Sequence, residues 1–256
     1  MRSLMLAALL ACLFAATPAR ADHPVTIAAA ISLRNTLEDA RPLLSRAAGG
    51  DVQFTFGASG TLRVQIERGA PIDLFISADR ANAQRLVAAH LADHPALVAG
   101  NRLVLVVPAH PTVALSGFAD LPRAHRIALG EPAAVPAGKY ARQTLEHFKL
   151  YAPLNSANKL VFGENVAQVL TLVDRGEVDA GLVYSSDAKA AGDKVQVVAT
   201  APADAHEPIE YELAICTAAP HPAAAARVAA ALQTPEFRAL LARYGFAPPP
   251  EAKKQK

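Results

Sequence analysis

The chain has no tryptophan, few aromatic residues (5%), little charge (19%) and only two cysteines in 256 residues. Cys12 lies in an amino-terminal apolar run and Cys216 in the run Leu213–Cys216, so removal of a leader leaves one cysteine and no intramolecular disulfide. Cys216 reads as a small buried hydrophobe rather than a reactive thiol. Charge of one sign is also missing: loss of residues 1–21 removes Arg2 and Arg20 and leaves 23 basic against 23 acidic side chains. A neutral balance excludes the strong basic excess that nucleic acid or an anionic membrane surface demands. Beyond residue 21 there is no apolar run of membrane-spanning length.

What is present begins with MRSLMLAALLACLFAATPARA, an early arginine, an apolar stretch and an Ala19-Arg20-Ala21 cleavage signal. This is the layout of a cleaved secretory signal peptide, residues 1–21. Reading Cys12 as a lipid attachment site instead leaves a very short apolar core and places bulky Leu10 close before the cysteine. From Val25, short β-branched runs alternate with helical patterns: VTIAAAI, a helix over SLRNTLEDARPLLSRAA, DVQFTF, a helix from TLRVQIERGA, DLFIS, and a helix through ANAQRLVAAHLA. Such strand–helix pairs with short loops predict a parallel sheet wrapped by helices. NRLVLVVPAHP then opens a second round through HRIALG, a helix over 137–150, KLVFG, a helix over 165–175, AGLVYSS and VQVVAT. IEYELAICT and two closing helices complete the chain, and the tail PPPEAKKQK is expected to be disordered. The fold class is α/β, with two lobes and a cleft at the strand carboxyl ends. The expected division is 22–103 with 208–247 as lobe 1, 104–207 as lobe 2, and 248–256 as tail.

FGASGTL (56–62) places Ser59 at a strand-to-helix junction. A nucleophile elbow requires G-x-S-x-G, and here Gly60 follows the serine directly, so a secreted serine hydrolase using Ser59 is the weaker reading. His90 and His94 share i, i+4 spacing, but His94 precedes Pro95 and no H-E-x-x-H glutamate accompanies them, so they read as a helix end rather than a metal pair. An anion cradle fits better because one pattern recurs. Ser32 and Ser59 stand at N-cap positions, Pro136-Ala137-Gly138 opens a helix, and Asn165 caps another that starts at Val166. Four helix starts facing one cleft would offer backbone N–H groups and partial positive charge to a compact oxyanion. Tyr184 ends AGLVY at a carboxyl edge, where it is either a core residue with its hydroxyl at the surface or a directed donor.

ERGAPIDLFISAD (67–79), VPAGKYA (135–141), GLVYSSDA (181–188) and RYGF (243–246) together resemble the periplasmic molybdate-binding proteins of ABC transporters. The resemblance covers about Val25 to Phe246. It implies a two-lobed, type II periplasmic-binding-protein fold, a periplasmic location, and a monomer that passes molybdate or tungstate to a membrane permease with its ATPase. It also implies no enzyme activity, no cofactor and no metal-ion ligands, molybdenum being held as the oxyanion. The residues it assigns are the hydroxyls of Ser32, Ser59 and Tyr184 and the backbone N–H groups of Ala137 and Val166. The family's A-A-A-S-L reads Ala30-Ile31-Ser32-Leu33 here, and Ala58 and Gly60 replace serines common in the second run. Gly57, Gly60 and Gly138 read as room for backbone to approach the anion. A sulfate receptor is the other reading within the binding class.

Overall fold

The computed structural model describes residues 24–249, so the leader, Cys12 and the tail from residue 250 lie outside the described residues. The first sheet is built from β1 (Val25–Ala30), followed by a 3-10 turn (Ile31–Leu33), α1 (Arg34–Asp39) and α2 (Arg41–Ala48), then β2 (Val52–Gly57), α3 (Ser59–Glu67), β3 (Leu74–Ser77), α4 (Arg80–Ala88) and β4 (Ala92–Gly100). The single helix expected over 32–48 is broken at Ala40. Pro42 has no N–H to give the carbonyl four residues back, and its ring crowds that position, so the chain restarts as a second helix.

After β4 the chain crosses to the second sheet: β5 (Leu103–Pro108), β6 (Ile127–Gly130), α5 (Pro136–His147), α6 (Tyr151–Ser156), β7 (Leu160–Gly163), α7 (Val166–Asp174), β8 (Ala180–Tyr184), α8 (Ser185–Ala191) and β9 (Val195–Thr200). Leu103 pairs with Tyr184 and so belongs to this second sheet. A second crossing returns to β10 (Glu210–Cys216), which is followed by α9 (Pro222–Ala231) and α10 (Pro235–Arg243). The two crossings are themselves bonded, Asn101 N–H donating to the Ile209 carbonyl at 3.2 Å.

The sheets share one plan, with orders β2-β1-β3-β10-β4 and β7-β6-β8-β5-β9. Each has three parallel strands, but the expected all-parallel sheets are in fact mixed. In the first sheet β10 runs antiparallel to both β3 and β4, and in the second β5 runs antiparallel to both β8 and β9. β3, β5 and β8 are buried along their whole length, as strands covered on both faces must be. β4 was hidden in the sequence by His94-Pro95, which breaks its alternation. The structure places these residues at an irregularity on the sheet edge, between the pairs Asp93–Ile215 and Ala96–Leu213, where a missing N–H is tolerated.

Gly138, in the first turn of α5, lies flat against the end of β6: a Cβ there would stand 2.0 Å from the Gly130 carbonyl oxygen. Its small size therefore serves packing within the second lobe. Gly138→Ala is expected to destabilise the fold by about 1–3 kcal/mol, the usual cost of overpacking. Urea unfolding checks this, and an unchanged midpoint would show that α5 can back away freely.

Candidate functional site

A small cavity, about 210 Å³ of empty space counting its mouth, lies where the carboxyl ends of the six parallel strands converge from both sheets. The first lobe lines it with Ile31 and Ser32 after β1, Gly57, Ala58 and Ser59 after β2, and Ala78 after β3. The second supplies Val135, Pro136 and Ala137 after β6, Val166 after β7 and Tyr184 at the end of β8. All five residues expected from the sequence line this one space, although Ser32 and Tyr184 are 152 positions apart.

Neither serine is the helix cap that the sequence suggested. Ser32 sits inside the 3-10 turn, and its Oγ lies 2.8 Å from the Tyr211 hydroxyl. Ser59 is the first residue of α3, with Ala58 as the cap, and its fully buried Oγ accepts the Ala78 N–H at 3.0 Å. That bond occupies a lone pair and leaves the Ser59 proton to be donated elsewhere. The other two helix starts behave as expected: Pro136 opens α5, and Asn165 caps α7 by accepting from Gln168 N–H at 3.0 Å. The first-turn amides of Ala137 and Val166 have no carbonyl within their own helices to bond.

The glycines act differently from the expectation. A Cβ at Gly57 would meet only the Leu62 side chain, at 3.4 Å, and Gly138 packs on Gly130. Gly60 spans the cleft instead: its N–H donates to the Ala134 carbonyl of the other lobe at 3.0 Å, and a Cβ would stand 2.6 Å from that oxygen. Gly60 permits the lobes to meet rather than the ligand to approach.

Among the described residues no charged side chain lines the cavity. Arg34, just inside the first helix, stacks over Phe56 with its guanidinium 4.5 Å from the ring centre. The Tyr184 hydroxyl is buried with no hydrogen-bond partner among the described residues, a costly state for a polar group unless something outside the protein accepts its proton. Its ring packs edge-on against Tyr211, which packs in the same manner on Phe246. Burial holds both phenols well above their ordinary range, so each remains a neutral donor. Sequence reasoning missed Ala78, Tyr211 and Asn101, the last two lying behind Ser32. No local spacing signals a contact such as Ser32 with Tyr211, formed across 179 positions.

With neither histidine nor carboxylate in the lining, Ser59 has no base there to activate it, and the nucleophile reading loses its support. Among the described residues no group of three or more His, Cys, Asp or Glu is placed to hold a metal ion. His90 lies past the end of α4 and His94 within β4, so they do not share a helix face. Cys216 is buried and its thiol is pushed up to about 12 by burial. Its hydroxyls and first-turn amides can bind an acceptor-rich solute.

Two α/β lobes joined by two crossings, with a donor-lined cavity between them, define a two-lobed solute-binding protein. The chain belongs to the bacterial extracellular solute-binding protein family, whose profile matches residues 25–247. YvgL of Bacillus subtilis, provisionally named an ABC transporter substrate-binding lipoprotein, is 38% identical over 226 residues, covering 87% of this chain and 85% of its own. The molybdate-binding protein ModA of Escherichia coli is 38% identical over 203 residues, 76% of this chain and 77% of its own. Among solved structures, the periplasmic molybdate-binding protein of Azotobacter vinelandii superposes with a TM-score of 0.79 at 24% identity, over 88% of this chain and 99% of its own, which supports the fold alone.

Two outcomes follow from these contacts. Ser59→Ala removes the acceptor of the buried Ala78 N–H and is expected to cost about 1–3 kcal/mol of stability without ligand, whereas Tyr184→Phe is expected to cost none. Urea denaturation compares them, and equal losses would contradict the contacts. Asp187 accepts the Tyr184 N–H at 3.2 Å, and burial raises its carboxyl from the ordinary 3.8 to about 7. The folded state therefore keeps a proton that the unfolded chain has released. Stability from this group is full below the lower value and falls as pH rises to the upper one. Between about pH 5 and about pH 8 the wild type is expected to lose more stability than Asp187→Asn. Parallel losses in the two proteins would refute this role.

Proposed function

We propose that this protein captures molybdate, and with it tungstate, in the cavity between its lobes and delivers it to an ABC import permease and its ATPase. It works as a monomer in the periplasm, without a cofactor, after losing residues 1–21. The observation that carries the reading is a site lined by hydrogen-bond donors from both lobes and by no charged group. Ser32, Ser59 and Tyr184 give hydroxyl protons, and Ala137 and Val166 give first-turn amides. A tetrahedral dianion accepts at every oxygen and satisfies donors that otherwise find nothing. The molybdate-binding names of relatives at 38% and 34% identity support the ligand class.

Hydrogen bonds to a charged acceptor contribute roughly 1.5–3 kcal/mol each, so a handful of them offsets much of the anion's lost hydration without a lysine or arginine. Neutral donors give little discrimination by charge pattern, so cavity size must separate molybdate and tungstate from the smaller sulfate. Because donors come from both lobes, ligand favours the closed form that a permease can recognise.

Calorimetry is expected to show tight molybdate and tungstate binding with sulfate at least about a hundredfold weaker, near 3 kcal/mol. Ser59→Ala should raise the molybdate Kd about 10- to 100-fold, the loss of one charge-assisted bond. Sulfate equal to molybdate would overturn the assignment, and an unchanged Kd in the variant would remove Ser59 from the site.

A further inference from the structure

Behind Ser32 runs a chain of hydrogen bonds whose direction is fixed from its far end. Asn101, on the first crossing, uses its Oδ1 to accept from the Arg102 N–H and from the Ser185 hydroxyl, both at 2.9 Å. Its Nδ2 must therefore be the donor towards the Ser186 hydroxyl at 2.9 Å and the Tyr211 hydroxyl at 3.4 Å. Asn101 can only donate to the Tyr211 oxygen, and among the described residues Ser32 Oγ, 2.8 Å away, is the one other partner of that buried hydroxyl, so the bond that satisfies the Tyr211 proton is a donation to Ser32. Ser32 then accepts from behind, and its remaining proton is left for the cavity it lines. Asn101 and Tyr211 are both buried, so water does not compete for these bonds.

We infer that Tyr211, oriented by Asn101, is a specificity-determining positioning residue that locks Ser32 as a donor and so disfavours oxyanions that keep a proton, such as hydrogen phosphate. A free serine hydroxyl both donates and accepts, and could turn to receive the proton of a protonated oxyanion. With its orientation fixed, Ser32 meets such a proton with its own, a contact without an acceptor. The same bonds join α8 of the second lobe, the crossing, and β10 of the first lobe to the cavity wall, so the lock is complete only when these parts are assembled. This inference rests on Ser32 touching the ligand as proposed above.

The test titrates molybdate and hydrogen phosphate, at mildly alkaline pH, into wild type, Tyr211→Phe, Ser32→Ala and the double variant. Tyr211→Phe is expected to weaken molybdate about tenfold and to shrink the ratio between the two ligands' Kd values by at least that factor. In the Ser32→Ala background the same change should move the molybdate Kd by less than about twofold, because its effect passes through Ser32. Equal losses in both backgrounds, a proportional loss for both ligands, or no loss at all would overturn the inference. Asn101→Asp is the independent variant: a carboxylate at this place draws the Tyr211 proton to itself, turns Ser32 lone pairs to the cavity, and should weaken molybdate about a hundredfold. Wild-type affinity there, with the urea midpoint recorded alongside, would also overturn it. Wild-type protein that fails to bind molybdate would instead overturn the proposed function, and full affinity in Ser32→Ala would remove Ser32 from the site.

Discussion

An amide in the first turn of a helix has no carbonyl four residues back to receive its proton, and such a group shut away from water is costly. Here two helix starts bring such amides to one cavity, where they are joined by a buried tyrosine hydroxyl without a partner among the described residues, by Ser59, which accepts the Ala78 N–H, and by Ser32, bonded to the Tyr211 hydroxyl. The surrounding structure keeps these groups as donors. Ala78 N–H occupies Ser59, Tyr211 occupies Ser32, and the aromatic stack of Tyr211 and Phe246 holds Tyr184 in place. A pattern of surplus donors is suited to an acceptor-rich solute.

The repeated sheet plan explains how so many strand ends meet. In each sheet the strand that comes directly after a crossing, β5 or β10, pairs antiparallel beside the parallel trio. This leaves the trio's carboxyl ends facing the other lobe. Gly60 allows a close approach across the cleft, through a bond to Ala134 that a side chain would block. Closure and donor placement thus depend on the same loops, which lets ligand binding and lobe position be coupled.

Much of this was legible in the sequence because strand and helix periods are local. The strand runs, the starts of α5 and α7 and the two-lobe plan needed no knowledge of distant residues. Misreadings arose where tertiary contacts decide. Ser32 and Ser59 have the residue type and place of caps, yet their oxygens are claimed by Tyr211 and Ala78. Of the glycines that suggested room for a ligand, Gly138 makes room for Gly130 and Gly60 for Ala134, while Gly57 does line the cavity. Within ERGAPIDLFISAD, Asp73 is fully buried and accepts from Thr26 and His221 amides, tying β1 to the start of α9 far from the cavity. A specific motif therefore records packing as well as binding.

The departures at Ile31, Ala58 and Gly60 can now be separated by what each touches. Gly60 is taken up by the cleft contact with Ala134 and does not line the cavity. Ala58 and Ile31 do line it, one without a hydroxyl and the other carrying a bulky side chain that packs on the core. Arg34 is held on Phe56 and no charged side chain among the described residues lines the cavity, so the wall offers shape and neutral donors rather than charge. Under the proposed function, Ile31 and Ala58 act on fit at this wall, through size and the lack of a hydroxyl, beside the alignment of Ser32 by Tyr211.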